Sequence, residues 1–318
     1  MVTFLCSAAL LAALLQASEP AGATDSLTAL RERVAHDSTD RRGWLLIGQA
    51  FLGLADRGPG GGRSPGDSAW TRAALDTAEA ALLRALALAP PAESDGGSDS
   101  ARVLRVGVWA ARSQLAWESQ GTAAGVDMWG PLPADLRIPA VLEELGENLL
   151  RACPMGGALI TSGDADGYAT WYMRFARGLR PDVLVVPLAA WRAEPALRAR
   201  LALDLKLRRR SPDAGWLGEV AQRRPVCVSM AFERPPDVRA RIGWAARGPV
   251  WVAGPERKSP RVPARDFSFA ALRLGLDAHD PWTEPALAAY VRAARSTPAL
   301  CEAMATFKVA SEVPSCRR

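Results

Sequence analysis

The sequence predicts a chain in two parts, an all-helical N-terminal unit followed by an α/β domain whose mostly parallel sheet is covered by helices. Two patterns carry that prediction. Apolar positions recur at helical spacing from Ser26 to about Gln120, and from Pro139 short apolar runs of strand length alternate with helical stretches. Such alternation builds a parallel sheet buried on both faces. Composition agrees. With 318 residues, 49% apolar and 23% charged, the chain has length for two domains and enough apolar side chains for sizeable cores, which excludes a disordered chain. A mean hydropathy of −0.02 excludes a polytopic membrane protein.

Residues 1–23 read as a secretory signal peptide. Phe4 to Leu15 form an apolar run, and Ala21-Gly22-Ala23 supplies small residues for cleavage. The run is shorter than the roughly 20 residues a membrane span needs. No Lys or Arg precedes it, so either the amino group provides the only positive charge or the start lies upstream. The expectation is an exported protein, periplasmic or extracellular, that does not span a membrane once the signal is cleaved.

Beyond Cys6, four cysteines remain, Cys153, Cys227, Cys301 and Cys316, and they allow three pairings. Cys301 and Cys316 flank the last helical stretch and the tail and are the expected bridge, closing a loop that contributes on the order of 3 kcal/mol. Cys227 lies in the apolar run Pro225–Met230 and reads as a free core thiol. The sequence has no C-x-x-C and two histidines, His36 and His279, which argues against zinc and thioredoxin-type chemistry.

The helical unit is assigned to residues 24–125. Trp44-x-x-Ile47-Gly48-x-x-Phe51 and Ala78-x-x-x-Leu82-x-x-Ala85-x-x-x-x-Pro90 have the spacing of the two helices of a tetratricopeptide repeat, with a Gly/Pro-rich insertion around Arg57 to Asp67 between them. Small residues at Gly48, Ala78 and Ala85 let the helices approach closely. A third helix is expected over about Ala101–Glu118. A tetratricopeptide-like hairpin of this kind implies a protein or peptide partner. The glycine loop lacks the Gly-Lys-Ser/Thr of a phosphate cradle and reads as a flexible insertion.

The α/β domain is assigned to residues 126–318. Its expected order is helix 139–152, strand Ala158–Ser162, helix Gly167–Arg177, strand Asp182–Pro187, helices Pro195–Arg208 and Ala214–Gln222, and strands Val226–Met230 and Pro249–Ala253. Helices Glu284–Ala294 and Pro298–Val309 complete it. The excess positive charge lies here, with 28 basic against 21 acidic residues, while residues 24–125 carry 11 and 12. The arginines from Arg192 to Arg210 read as a solvated face able to attract anionic material. Nucleic acid is not an expected partner, because no aromatic residues interleave with them.

The segment with most chemical content begins where the first strand ends. Asp164 and Asp166, spaced i, i+2 in Ser162-Gly163-Asp164-Ala165-Asp166-Gly167, sit at a strand-to-helix junction, the edge at which open α/β sheets bind ligands. Such a pair holds a hard divalent cation, the one cofactor the sequence suggests, and the cation would neutralise a phosphate. The competing reading is structural. Asp166 caps the following helix, and Asp164 accepts loop amides or pairs with Arg180.

The run GALITSGDADGYATWYMRFARGLRPDVLVVPL resembles the water-exposed C-terminal module of bacterial membrane glycosyltransferases related to protein O-mannosyltransferases. In that module a strand ends in Gly-Asp-x-Asp, an aromatic pair follows in the helix, and Arg-Pro-Asp-Val opens the next strand. Gly163, Asp164, Asp166, Trp171, Tyr172, Arg180, Pro181, Asp182 and Val183 fit it, over roughly Leu142 to Phe232. The resemblance implies a Rossmann-like fold, an extracytoplasmic setting and a glycan or nucleotide-sugar ligand. It departs in two ways, because the transmembrane portion that carries sugar transfer is absent and Gly167 stands where the module has Thr or Ser.

The candidate ligand-binding residues are therefore Gly163, Asp164, Asp166, Tyr168, Trp171, Tyr172, Arg180 and Asp182, with Asp164 and Asp166 as metal ligands. Trp171 and Tyr172 are candidates for stacking on a sugar ring or for the core. His279-Asp280 reads as a solvated turn, with an orienting pair for a base as the sharper alternative. No G-x-S-x-G elbow offers a nucleophile. The functional expectation is an exported binding or accessory protein linked to extracytoplasmic glycosylation or the cell envelope. The alternative is a metal-dependent enzyme acting on sugar or phosphate substrates.

Overall fold

The structure is a computed structural model that describes residues 21–58, 67–89, 96–121, 131–208, 213, 215–236, 242–255 and 266–317. The leader and the Gly/Pro-rich insertion fall wholly or largely outside these residues. The chain divides into two compact units, residues up to Arg137 with Ala193–Leu197, and Ile138–Arg192 with Arg198–Arg318. Taken together it is α/β in the broad sense, rich in helix with one small sheet.

Among the described residues up to Arg137 the first unit holds four helices, α1 (Ala21–His36), α2 (Arg41–Arg57), α3 (Ser68–Ala87) and α4 (Gly96–Gln120). Asp40 starts α2, its carboxylate accepting the Gly43 N–H at 3.0 Å and satisfying one of the free amides of the first turn. Helices α2 and α3 pack against each other so closely that a Cβ on Gly48 would lie 2.6 Å from Leu82. Ile47, Phe51, Leu75, Ala78, Leu82 and Ala85 are buried in the resulting core. Between α3 and α4 runs a polar network, in which Arg112 binds Glu79 and Asp76, Arg105 approaches Glu79, and the Trp109 indole N–H donates to Glu79 at 2.9 Å; Arg105 also binds Asp135, beyond α4.

The second unit contains α5 (Ala140–Ala152), β1 (Ala158–Thr161), α6 (Asp164–Trp171), β2 (Leu184–Pro187), α7 (Leu188–Ala193), α8 (Pro195–Asp204), α9 (Trp216–Ala221), β3 (Val226–Ser229), β4 (Ala245–Arg247) and β5 (Val250–Ala253). The helices α10 (Ala270–Ala278), α11 (Thr283–Ser296) and α12 (Ala299–Thr306) follow. Helix α6 continues into one π-helical turn over Tyr172–Ala176. The sheet order is β2-β1-β3-β5-β4, with β1 parallel to both β2 and β3.

The expected sheet needs one correction. It is mixed, because β3 pairs antiparallel with β5, and β5 antiparallel with β4, through the turn at Gly248-Pro249. A hairpin needs only such a tight turn, whereas each parallel pair needs a helical crossover. The parallel strands β1 and β3 are buried at every position, as their largely apolar sequences require.

A second correction concerns Cys227, which is bonded to Cys153 rather than free, their Cα atoms 5.7 Å apart. This bridge ties the end of α5 to the middle of β3. With its ends 74 positions apart in the sequence it contributes about 4 kcal/mol by loop-closure entropy. Cys301 and Cys316 are also bonded, closing the C-terminal tail.

Candidate functional site

The chain leaves β1 toward β2 on one side and returns to β3 on the other, so the carboxyl ends of β1 and β3 flank the crevice where open α/β sheets bind ligands. Thr161, Ser162 and Gly163 end β1 there, and Ser229 ends β3.

Asp166 fills this crevice. It stands in the first turn of α6, is 1% exposed, and turns its carboxylate back toward the strand. Oδ2 accepts the Ser162 N–H at 2.8 Å, Oδ1 accepts the Gly163 N–H at 2.9 Å, and the hydroxyls of Ser162 and Ser229 add further bonds. Burial raises its pKa above the ordinary carboxylate value, and the donated hydrogen bonds oppose that rise. The donors that would hold an anionic ligand at this edge therefore bind the protein's own carboxylate.

As Asp166 is held, both of its oxygens accept hydrogen bonds from the loop. The backbone of Asp164 opens α6, and its side chain lies outside the described residues. Among the described residues no group of three or more His, Cys, Asp or Glu side chains converges as metal ligands.

Arg180 and Asp182 act on the other end of the β1 region. Arg180 pairs with Asp182, not with the strand-end loop, through Nε at 2.9 Å and Nη2 at 2.8 Å. Its remaining N–H groups reach the carbonyls of Leu150, Cys153 and Pro154 at and just beyond the end of α5. Asp182 also accepts the Gly156 N–H. These bonds hold its carboxyl far below the usual range. Arg224, donating to the carbonyl of Gly156, secures the same turn.

The aromatic candidates lie inside. Trp171 is 6% and Tyr172 1% exposed, and the Trp171 ring packs beside Phe175 with centroids 5.4 Å apart. Tyr168 is half-buried on α6, and Gly163 is exposed at the loop. His279 sits at the left-handed end of α10, and the Asp280 carboxylate accepts the Trp282 N–H, so both shape a helix-to-helix turn.

Three polar groups escape a search for charged motifs. Ser229 completes the bonding of Asp166. Thr161, 1% exposed, has a hydroxyl without a partner among the described residues, facing Gly167. Glu144 of α5 is buried and accepts the N–H groups of Ala271 and Leu272 and the Ser268 hydroxyl, capping α10 from outside. A hydroxyl residue ending an apolar strand was the one available signal for the first two; Glu144 on an otherwise apolar helix face was the signal for the third.

Comparison with known protein families, curated proteins and solved structures returned no match.

Proposed function

We propose that this protein is an exported accessory or binding protein of the cell envelope, with a tetratricopeptide-like helical unit that engages a protein or peptide partner and a Rossmann-like unit that serves as scaffold. The observation that carries the proposal is the bonding of Asp166. A carboxylate buried in the ligand-binding crevice and saturated by Ser162, Gly163 and Ser229 favours a structural role over metal-assisted catalysis. Arg180 and Asp182, joined to each other and to the end of α5, support the same reading.

Two disulfides support export, since such bonds persist in oxidising compartments. The half-buried Trp109, its indole held by Glu79 and its ring packed on the buried Arg112, is a rigid aromatic of the kind enriched where proteins recognise one another. The likeness of residues 142–232 to the glycosyltransferase module adds a link to extracytoplasmic glycosylation and a neutral glycan as a candidate ligand.

Two assays test the proposal. Fractionation of cells producing the full chain should recover a shortened protein outside the cytoplasm; full-length protein confined to the cytoplasm would contradict it. Incubation with nucleotide-sugars and magnesium or manganese should give no turnover. Turnover lost in Asp164→Asn would replace this reading with that of a metal-dependent enzyme.

A further inference from the structure

We propose that Cys301–Cys316 is a thiol–disulfide exchange site, reduced selectively by a dithiol, and that its opening releases the tail from Val309 onward. The inference rests on the oxidising setting proposed above. The two disulfides of the α/β unit have opposite environments. Cys153 and Cys227 are 1% and 0% exposed, and no thiolate reaches them while the sheet is intact. Cys301 and Cys316 are only partly buried, and Pro314, Ser315 and Arg317 around the second of them are exposed. Exchange requires an attacking thiolate to reach a sulfur, so access selects the second bond.

The step is a two-electron reduction. One thiolate of the dithiol attacks a sulfur of the bond, forms a mixed disulfide and expels the other cysteine as thiolate. The second thiol of the dithiol then displaces the remaining cysteine. The dithiol ends as its own disulfide, and its two protons pass to the thiols of Cys301 and Cys316.

The bond joins α12 to the short helical turn Pro314–Cys316, which also packs against α11. Val309 and Val313, each 0% exposed, are its two apolar anchors. At its root, Lys308 is held with φ of 59°, a left-handed conformation costly for a non-glycine residue, and its carbonyl accepts from Arg273. Phe307 packs edge-on against Phe269, which packs likewise on Tyr290. Detachment of the tail would uncover the two valines and the adjoining buried side chains Leu300 and Met304, so the redox state of one bond controls an apolar surface while Cys153–Cys227 keeps the sheet closed.

The test uses the full chain produced with its leader. Dithiothreitol is titrated in, free thiols are alkylated and assigned by mass spectrometry, and tryptic cleavage after Lys308 is followed in the same samples. Cys301 and Cys316 should be alkylated on the order of tenfold or more faster than Cys153 and Cys227. Cleavage after Lys308 should rise with that first opening, and the Cys301→Ser, Cys316→Ser double variant should be cleaved rapidly without reductant. Equal rates for the two bonds would overturn the proposal, as would a tail that stays protected once its bond is open. Free thiols at all four positions before any reductant is added would overturn the export reading, and the exchange site with it.

Discussion

Arg180 and Asp182, two residues apart, form a two-pronged ion pair whose guanidinium also binds three carbonyls at the end of α5. The arginine reaches them because its own backbone is left-handed, with φ of 49°, which folds the segment before β2 back toward the helix. The pair thus fixes the start of β2 against the helix that precedes β1.

Removing either partner should destabilise the protein without altering a ligand site. Arg180→Met leaves the Leu150 and Cys153 carbonyls without this donor and the Asp182 carboxylate with only the Gly156 N–H, and should cost about 2 kcal/mol, and Asp182→Asn about 1 kcal/mol, since both groups are partly exposed. Chemical denaturation measures both. The Arg180 guanidinium holds the Asp182 carboxyl well below the ordinary aspartate value of about 3.9, so its contribution is complete above that value and is lost as pH falls further. The gap between wild type and Asp182→Asn should therefore close on acidification.

Asp166 should behave in the opposite sense. Burial raises its carboxyl, so the protonated form is more favoured in the folded state than in the unfolded chain, and the group's contribution is greatest below pH of about 4 and falls as pH climbs through the raised value. Asp166→Asn turns an amide donor toward the N–H of Ser162 or Gly163 and should cost about 2 kcal/mol in acid. That cost should shrink as pH rises. Denaturation profiles of the two variants against pH should slope in opposite directions; parallel slopes would refute the bonding described for both carboxylates.

Two glycines near the strand-end loop should respond oppositely to alanine. A Cβ on Gly146 of α5 would lie 2.4 Å from the carbonyl oxygen of Ala169 in α6, so Gly146→Ala should cost about 3 kcal/mol as the two helices separate. A Cβ on Gly167 meets only the Thr161 hydroxyl, at 3.7 Å. Gly167→Ala should therefore gain about 0.5 kcal/mol from helix propensity, and Gly167→Ser more, by offering the Thr161 hydroxyl a partner. Thermal melting of the three variants decides this.

Much of the α/β architecture could be read from residue order. The strands expected at 158–162, 182–187, 226–230 and 249–253 are found at 158–161, 184–187, 226–229 and 250–253, because unbroken apolar runs between turn residues have few other solutions. The strand Ala245–Arg247 was not legible, since Ala-Ala-Arg has no apolar pattern and is a strand only through its pairing with β5. Helix α10 also escaped notice. The partner of Cys227 depends on where α5 ends relative to β3, which no local pattern contains. In the candidate site, the residue types and their place at the end of β1 were visible. The direction of each side chain was not: whether Arg180 faces the loop or α5 depends on a single backbone angle.

The claim that the strand-end carboxylates serve the fold is tested most directly by calorimetric titration of the oxidised protein with magnesium, manganese and calcium, alone and with nucleotide-sugars, beside Asp164→Asn and Asp166→Asn. The account predicts no metal-dependent heat, with the variants differing from wild type only in stability. Stoichiometric metal binding that disappears in either variant, while that variant melts like wild type, would contradict it.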